Sequence, residues 1–451
     1  MELLNQLRQH ASDYPDRIAI RECCGGKALT YAQFHRQVGQ FSEELCRHIS
    51  QPSALLLKTS SGCAFHVAFF ACLSAGHAVF PVAGDTTDIE LSQLVQRCGA
   101  AGIITDDLHL NLTTSGAKSA VGEPALLLQS SGTTGLPKIV CRDAKSLDAS
   151  ARQIVQSVGM RSDDRILTCV PLSHSYGLEH GLLAPIYAGA TVHIARGFDV
   201  HLIARELIES KITIFPSVPA VFELFVQFAD LPERFPALRL TYSAGGPLPT
   251  NINDTFVQRF GLPIAQLYGA TEIGSVVFSD PGLAGFDPRS VGRPMPGVQI
   301  KLDADGQLLV RAASMMRGYL DADPPFTSDG FFPTGDLARI DDNQCVTLIG
   351  RSKLLIDIGG RKVNPLEVEQ ALNQHPGVAE CVVVSIPQTQ TLRRLKAIVV
   401  PAVHHAPSPD DLRQFLRDHL SPYKIPRIFE LRRSLPKSAT GKVLRHLLEN
   451  S

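Results

Sequence analysis

The sequence lacks an excess of charge of either sign. Lys and Arg number 43, Asp and Glu number 44, and the formal net charge is −1. A protein whose main partner is nucleic acid usually presents a basic face, so that class of function is disfavoured. Hydrophobic residues make up 44% and charged residues 19% of the 451 residues. These values predict an ordinary soluble globular protein of two or three domains.

The sequence also lacks cysteine spacings that bind metal. Its ten cysteines run from Cys23 to Cys381, and no Cys-x-x-Cys pair or zinc-spaced Cys/His cluster occurs. Reduced thiols are therefore favoured over disulfides or a metal centre. The N-terminal segment has an early acid, Glu2, and no apolar core typical of a signal peptide. We expect a cytoplasmic protein, and we find no internal repeat or low-complexity tract.

One nearly uncharged segment, residues 62–82, is about long enough to cross a bilayer. Gly76 and Pro81 interrupt it. A buried helix over 63–75 followed by a buried strand over 78–82 explains the segment better than a membrane span.

Apolar β-branched runs alternate with helical patterns over the first 280 residues. Strands separated by helices predict doubly wound parallel sheets. The predicted strands are 53–58, 101–105, 125–129, 165–170, 191–195, 212–215, 238–243 and 264–268. The predicted helices are 31–48, 63–75, 145–158, 202–209, 217–229 and 250–259.

The character of the sequence changes after residue 285. Short alternating runs over 285–350 predict antiparallel β structure in a small barrel-like subdomain. A compact α+β pattern then follows: helix 365–374, strands 379–385 and 395–401, helix 408–419, and a final helix from about 441. We therefore expect a large α/β domain over 1–350, a hinge at 351–353, and a small α+β domain over 354–451.

Residues 130–138 read Ser-Ser-Gly-Thr-Thr-Gly-Leu-Pro-Lys and follow an apolar run. Gly132 and Gly135 can adopt positive φ angles, and consecutive N–H groups in such turns bind anions. Four hydroxyls and Lys138 complete a set suited to phosphates. The spacing is not that of a Walker A loop, which disfavours a P-loop phosphotransferase. Taken alone, such a loop is usually an ordinary surface loop.

Three further motifs contain side chains that could bind a ligand or take part in a reaction. Residues 266–274, Gln-Leu-Tyr-Gly-Ala-Thr-Glu-Ile-Gly, follow a predicted strand, where open α/β sheets bind ligands. The Tyr could stack on a base, the Thr could bond phosphate, and the Glu could hold a divalent cation. Residues 333–336, Pro-Thr-Gly-Asp, offer a carboxylate to two vicinal hydroxyls. Residues 436–442, Pro-Lys-Ser-Ala-Thr-Gly-Lys, carry a lysine with long reach. Each motif alone is equally compatible with a polar loop.

In this order, these motifs and Gly350-Arg351-Ser352-Lys353 resemble the adenylate-forming superfamily of acyl-CoA synthetases, peptide-synthetase adenylation domains and luciferases. The resemblance runs from Leu29 to Lys442 and is closest in type to acyl- or aryl-CoA ligases. It implies activation of an aryl or fatty acid to acyl-AMP, release of pyrophosphate, and transfer to the thiol of CoA. The implied cofactors are ATP, Mg²⁺ and CoA. The C-terminal domain would be mobile between the two half-reactions.

The resemblance also assigns roles to individual residues. The ATP-binding set would be Ser130, Ser131, Gly132, Thr133, Thr134, Gly135, Lys138, Gly245, Gly246, Pro247, Tyr268, Gly269, Asp336 and Arg351. Within it, Tyr268 would stack on adenine, and Asp336 and Arg351 would bind ribose. The remaining assignments are Thr271 to the α-phosphate, Glu272 to Mg²⁺, Lys442 to the carboxylate and α-phosphate, Lys353 to the hinge, and Gly359 and Gly360 to the pantetheine tunnel.

The implied chemistry is electrostatic. A carboxylate attacking an α-phosphate brings two anions together, and Lys442 with a metal ion would neutralise them in a closed site. No covalent side-chain nucleophile is needed, which agrees with the absence of a Gly-x-Ser-x-Gly signature.

Residues 171–178, Pro-Leu-Ser-His-Ser-Tyr-Gly-Leu, resemble the family segment whose His gates the acid pocket. His174 would be that gate, although it could instead be a packed histidine. Amino-acid-activating relatives have Asp where this chain has Ser175, so an amino acid substrate is disfavoured. Ser175, Tyr176 and Ser243 would line an uncharged pocket that fits an aromatic or aliphatic acid.

Several positions depart from the family pattern, including Ile139 after the phosphate loop and Ile356-Asp357 after the hinge. These changes leave the thiol acceptor open. The main hypothesis is an acid–CoA ligase, and its first rival loads a carrier-protein phosphopantetheine. A second rival is a catalytically weak acyl- or nucleotide-binding homologue. Whether the protein forms a homodimer is left open.

Overall fold

A computed structural model describes residues 1–59, 62–113, 125–130, 138–283, 285–351, 356–358, 361–387, 393–403, 406–420, 422–438, 441 and 443–448. The chain divides into two compact units. The first contains Met1–Ile300, Val310–Phe332 and Asp342–Val346, and the second contains Lys301–Leu309, Pro333–Asp341 and Thr347–Ser451. The predicted hinge at 351–353 falls mostly outside the described residues, and the predicted domain limits stay a prediction.

Helices and strands alternate along most of the chain. The α-helices are α1 (Glu2–Asp13), α2 (Tyr31–His48), α3 (Cys63–Ser74), α4 (Asp88–Cys98), α5 (Ala144–Val158), α6 (Ser175–Leu178), α7 (Ala184–Ala188), α8 (Val200–Glu209), α9 (Pro219–Gln227), α10 (Thr250–Phe260), α11 (Pro365–Leu372) and α12 (Pro409–Arg417). The strands up to residue 302 are β1 (Ile18–Glu22), β2 (Ala28–Thr30), β3 (Ala54–Leu57), β4 (Ala78–Pro81), β5 (Gly102–Ile104), β6 (Leu110–Leu112), β7 (Leu126–Gln129), β8 (Ile139–Arg142), β9 (Arg165–Thr168), β10 (Thr191–Ile194), β11 (Ile214–Ser217), β12 (Leu240–Ser243), β13 (Ile264–Ala270), β14 (Gly274–Phe278), β15 (Arg293–Pro294) and β16 (Gln299–Leu302). The later strands are β17 (Gln307–Arg311), β18 (Gly318–Tyr319), β19 (Phe332–Ile340), β20 (Val346–Arg351), β21 (Ile356–Ile358), β22 (Arg361–Val363), β23 (Val378–Pro387), β24 (Arg393–Pro401) and β25 (Ile428–Leu431).

The first unit is built on two large sheets. The nine-stranded sheet has the order β15-β14-β13-β12-β11-β9-β10-β1-β2, and its strands from β13 to β1 pair in parallel. Ser217 pairs with Ser243, and Ser243 pairs with Gln266. Because parallel neighbours end together, the segments that follow β11, β12 and β13 leave the sheet at one edge, where open α/β sheets bind ligands. The predicted α/β fold class with doubly wound sheets is confirmed.

The seven-stranded sheet has the order β18-β8-β7-β4-β3-β5-β6. Its strands β3 and β4 are buried along their whole length. Ten of the twelve residues of α3 are also buried. The apolar segment 62–82 is therefore an interior helix and strand, as predicted. Among the described residues, no helix combines the length and apolar character needed to cross a bilayer.

Helix α2 shows why local sequence signals succeeded in this unit. The Gln33 N–H donates to the Thr30 hydroxyl at 3.2 Å, and the Thr30 N–H donates to Gln33 Oε1 at 3.0 Å. This capping box fixes the first turn. Tyr31, Phe34, Val38 and other residues at helical spacing are buried, so one apolar face packs into the core.

The second unit contains the three-stranded sheet β23-β24-β25, the hairpin β21-β22 and the helices α11 and α12. A further, four-stranded sheet has the order β16-β17-β19-β20. The final helix predicted from about 441 is wrong for the described residues. Val443 forms an antiparallel bridge with Lys437, and only Arg445–Leu447 forms a single 3-10 turn. Extended pairing at Val443 prevents an α-helix from starting there.

We predict that acid destabilises the first unit before its carboxylates are protonated. Burial lowers the pKa of His180 and of His193 from 6.5 to about 4. Between these pKa values the unfolded chain binds protons that the folded chain does not. The free energy of unfolding therefore has its highest value above about pH 6.5 and decreases as the pH falls towards about 4. The loss is about 1.4 kcal/mol per pH unit for each histidine inside that window.

Urea unfolding between pH 7.5 and pH 5 measures this slope. His193→Gln removes one titrating group and should reduce the slope, whereas His109→Gln, at an exposed position, should leave it unchanged. A free energy of unfolding that stays constant from pH 7.5 to 5 would contradict the assignment.

Candidate active site

The predicted phosphate loop begins and ends on an antiparallel pair of strands. Gln129 on β7 pairs with Ile139 on β8, and the Ser130 N–H donates to the Lys138 carbonyl oxygen at 2.9 Å. Ser130 is buried, and Lys138 is exposed. The loop is thus closed by backbone bonds at its base, while residues 131–137 lie outside the described residues.

Tyr319 connects the base of this loop to the predicted metal-binding carboxylate. Lys138 Nζ lies 4.5 Å from the centroid of the Tyr319 ring, a cation–π contact. Tyr319 Oη donates to Glu272 Oε1 at 3.2 Å. Burial and the adjacent Glu272 carboxylate raise the pKa of Tyr319 above its ordinary value, so the hydroxyl remains a donor. Sequence reasoning missed this residue, because its strand, β18, reaches β8 only through the fold.

Thr271 and Glu272 occupy the tip of a tight turn between β13 and β14. The Ile273 N–H donates to the Ala270 carbonyl oxygen at 3.1 Å, and the Met316 N–H donates to the Glu272 carbonyl oxygen at 2.8 Å. Both tip residues are half-buried. The turn therefore presents a hydroxyl and a carboxylate side by side on a fixed backbone.

The predicted adenine-binding segments follow β12 and lie on β13. Gly245, Gly246 and Pro247 are exposed, and Tyr268 is buried. Gly245 has φ +86°, which favours glycine. The structure brings the two segments to neighbouring parallel strands, β12 and β13. Stacking of Tyr268 on adenine stays a prediction.

Glycine is needed at position 269 for a structural reason that does not involve ATP. A Cβ atom there would lie 2.4 Å from the Gly274 carbonyl oxygen across the β13–β14 hairpin. Only glycine allows the two strands to approach this closely, and the strand register shifts between Tyr268 and Gly269. The position is therefore required for the hairpin that carries Glu272.

Two of the predicted acid-pocket residues, Tyr176 and Ser243, lie at the ends of β11 and β12. His174 is exposed where α6 begins, and Ser175 is half-buried. Tyr176 Oη donates to the Ser217 carbonyl oxygen at 3.1 Å, and burial raises the Tyr176 pKa well above its ordinary value. Ser243, which pairs with Ser217, is buried, and its Oγ has no partner among the described residues. That these hydroxyls line an uncharged acid pocket stays a prediction.

A buried polar network lies behind these segments, and sequence reasoning missed it. Arg142 is ion-paired with Glu179, with both side chains at most 1% exposed. Glu179 Oε2 accepts from the Ser275 hydroxyl at 2.7 Å, and Ser275 Oγ lies 2.9 Å from His180 Nε2. His180 Nδ1 lies 2.8 Å from Tyr242 Oη. The available signal was a charged residue directly after an apolar residue in each segment, Arg142 after Cys141 and Glu179 after Leu178; a charge that is buried there needs a partner.

Within the second unit, the two predicted ribose-binding residues lie together. Arg351 Nε donates to Asp336 Oδ1 at 2.8 Å. Asp336 is buried, and its N–H donates to Thr334 Oγ1 at 3.1 Å. The guanidinium therefore holds the carboxylate in one orientation.

Several predicted site residues fall outside the described residues, and their roles stay predictions. They are Ser131, Gly132, Thr133, Thr134, Gly135, Lys353, Gly359, Gly360 and Lys442.

Known proteins resemble this chain over most of its length. The malonate–CoA ligase of Arabidopsis thaliana is 30% identical over 370 residues, which cover 73% of this chain and 61% of that protein. The feruloyl-CoA synthase of Amycolatopsis sp is 28% identical, with 96% of this chain and 95% of that protein covered. The chain spans less than two thirds of the length of the plant relatives.

The solved structure of ATP-bound MatB from Rhodopseudomonas palustris has the same fold. It matches with a TM-score of 0.90 at 23% identity, covering 99% of this chain and 98% of that chain. The family model "AMP-binding enzyme" matches residues 7–123 and 112–320, and its C-terminal-domain model matches residues 367–442. These matches extend over more than half of the sequence, and the chain belongs to the family of AMP-binding enzymes.

Proposed function

We propose that this protein activates a carboxylic acid with ATP, forming acyl-AMP and pyrophosphate, and then transfers the acyl group to the thiol of CoA. One observation carries the proposal: Tyr319 contacts Lys138 through its ring and Glu272 through its hydroxyl. A cation suited to phosphates and a carboxylate suited to a metal ion are therefore linked at one place. Family membership, with relatives named as CoA ligases, supports the same chemistry.

The chain's own groups would overcome repulsion between the acid carboxylate and the α-phosphate. The Thr271 hydroxyl on the turn would donate to the α-phosphate, and Lys138 would hold the outer phosphates. Lys442 would bring an ammonium group to both reacting anions. Preorganised donors of this kind act strongly in a site that excludes water.

The described residues fit a magnesium ion held mainly by substrate. Mg²⁺ usually binds one or two carboxylates together with substrate phosphates. Glu272 supplies one such carboxylate at the turn, and the described residues contain no group of three or more His, Cys, Asp or Glu side chains that could form a complete cage. When bound, the ion would supply positive charge that offsets the charge of the phosphates.

The substrate acid would lie against Ser175, Tyr176 and Ser243, with His174 at the entrance. The neutral hydroxyls favour an uncharged aryl or alkyl body. Since the named relatives include ligases for feruloyl and malonate groups, dicarboxylic acids belong in the test beside aryl and fatty acids. All ten cysteines are free thiols, which supports a reducing, cytoplasmic location.

The direct test supplies purified protein with ATP, Mg²⁺ and a panel of aryl, fatty and dicarboxylic acids. We expect acid-dependent pyrophosphate release, followed by thioester formation with CoA. If a thioester forms only with a holo carrier protein, the acceptor is the phosphopantetheine of that carrier and not CoA. Absence of acid-dependent pyrophosphate release across the panel would contradict acid activation.

We predict that Lys442→Ala separates the two half-reactions. Removing the ammonium should slow acyl-AMP formation by about 10²–10³-fold, because the reacting anions lose a neutralising group. Thiolation of preformed acyl-AMP should be largely retained. Lys437→Ala is the matched control, since Lys437 lies in the same segment and is ion-paired with Glu380. Equal loss of both half-reactions in Lys442→Ala would refute the assigned role.

We predict that Tyr319→Phe weakens magnesium binding without removing the metal ligand. The variant keeps the ring that faces Lys138 but deletes the hydroxyl that orients Glu272. The half-saturating magnesium concentration for pyrophosphate release should rise about tenfold, the usual effect of losing an outer partner. Glu272→Gln should have a larger effect, and Glu43→Gln on an exposed face of α2 should have none. An unchanged magnesium dependence in Tyr319→Phe would show that the hydroxyl is not an orienting group.

A further inference from the structure

The Glu179 carboxylate uses both of its oxygens inside the protein. Oε1 accepts from Arg142 Nη1, and Oε2 accepts from the Ser275 N–H at 3.0 Å and the Ser275 hydroxyl at 2.7 Å. Arg142 Nη2 also donates to the Ser146 carbonyl oxygen at 3.3 Å. Although burial opposes ionisation, the guanidinium keeps the pKa of Glu179 below its ordinary value. The carboxylate is thus a fixed, charged acceptor.

The three bonded residues belong to three segments of the site. Arg142 ends β8, the strand that follows Lys138. Glu179 begins a π-helical turn, Glu179–Leu183, directly after α6, and such turns are frequent at functional sites. Ser275 lies in β14, directly after the turn that carries Glu272. The Glu179 carboxylate therefore connects three elements: β8, the π-helical turn after α6, and the start of β14.

One close approach and two hydrogen bonds restrain the backbone where the chain leaves this turn. Gly274 has φ +71°, and a Cβ atom there would lie 2.9 Å from Glu179 Oε1. Ser314 Oγ donates to the Ile273 carbonyl oxygen at 2.8 Å, and Gln153 Nε2 donates to the Ser275 carbonyl oxygen. Glu179, Ser314 and Gln153 therefore together hold the backbone where the chain leaves the turn.

Stability alone does not require a buried ion pair at this position. Replacing both partners of such a pair by apolar residues of similar volume is often neutral or stabilising. An apolar replacement cannot, however, accept a hydrogen bond from the Ser275 N–H. The function of the pair that apolar residues cannot replace is therefore that of the acceptor, Glu179 Oε2, which fixes the backbone where the chain leaves the turn.

We propose that Glu179, held by Arg142, is a positioning residue that fixes the Thr271–Glu272 turn for magnesium-bound ATP. This inference rests on the proposed function, because it takes that turn as the metal-side part of the nucleotide site. Within the described residues Glu179 forms no hydrogen bond with Thr271 or Glu272, so it would act through Ser275.

Two charge-balanced double variants separate positioning from charge burial. R142M/E179M removes both charges and the acceptor, whereas R142M/E179Q removes both charges but keeps an amide oxygen for the Ser275 N–H. Isothermal titration measures ATP affinity with and without Mg²⁺, and thermal unfolding measures stability. The magnesium-dependent gain in affinity should fall about tenfold in R142M/E179M and less than about threefold in R142M/E179Q. Affinity for ATP without Mg²⁺ should stay near the wild-type value in both.

Gly274→Ala tests the same turn with both charges in place. Its Cβ atom would press on the Glu179 carboxylate and strain the backbone at φ +71°, so it should lower magnesium-dependent affinity at least as much as R142M/E179M does. Asp164→Asn is the control for loss of a buried carboxylate: Asp164 is ion-paired with Arg239 just before β9 begins. It should lower the unfolding temperature and leave ATP affinity unchanged.

The outcomes distinguish this inference from the proposed function. Equal magnesium-dependent affinity in the two double variants and wild type would overturn the positioning role, even if the wild type forms acyl-AMP. Equal loss of ATP affinity with and without Mg²⁺ would also overturn it, because a general folding defect would explain that result. Selective loss in R142M/E179M, together with a wild type that activates no acid, would support positioning and contradict the proposed function.

Discussion

The buried ion pair between Glu179 and Arg142, extended by the Ser275 N–H, is the interaction that joins β8, the π-helical turn after α6 and β14 in the first unit. A desolvated charge is tolerated only when it is paired and hydrogen-bonded. Arg142 and Ser275 meet that requirement, and each comes from a different part of the sheet system. The strand after the phosphate loop and the hairpin that carries Glu272 therefore have one relative arrangement.

The register of the nine-stranded sheet supplies the second constraint. Parallel pairing places Ser217, Ser243 and Gln266 on neighbouring positions of β11, β12 and β13. The turns that follow these strands consequently gather at one edge, and glycines occur where backbone must bend or approach closely. Gly245 and Gly269 illustrate the two cases, a positive φ and a close strand contact. Sheet geometry thus brings residues that are far apart in sequence to one edge of the sheet.

Local signals predicted much of the fold. Residues 31–48 were predicted as a helix and form α2 (Tyr31–His48), because a threonine cap precedes an apolar stripe of helical period. The uncharged segment 62–82 was also interpreted correctly from its length and its helix-breaking residues. The final helix from about 441 was wrong, since pairing of Val443 with Lys437 is a tertiary contact that local propensity does not reveal.

The site was predictable only in part. Asp336 and Arg351 were each singled out from motifs, and the structure pairs them. Arg142, Glu179 and Tyr319 were missed, because their partners are 37 and 47 residues away in sequence and no motif spacing encodes them. A lone charge in an apolar segment indicates that a partner exists, but only the fold identifies that partner.

In the proposed reaction, a substrate carboxylate attacks the α-phosphate of ATP. An active acid labelled with ¹⁸O in its carboxyl group tests this claim by mass spectrometry of the nucleotide product after transfer to CoA. We expect AMP that carries one ¹⁸O atom, because the oxygen that joins acid and phosphate stays with AMP when the thiol displaces it. Unlabelled AMP, or ADP as the nucleotide product, would contradict it.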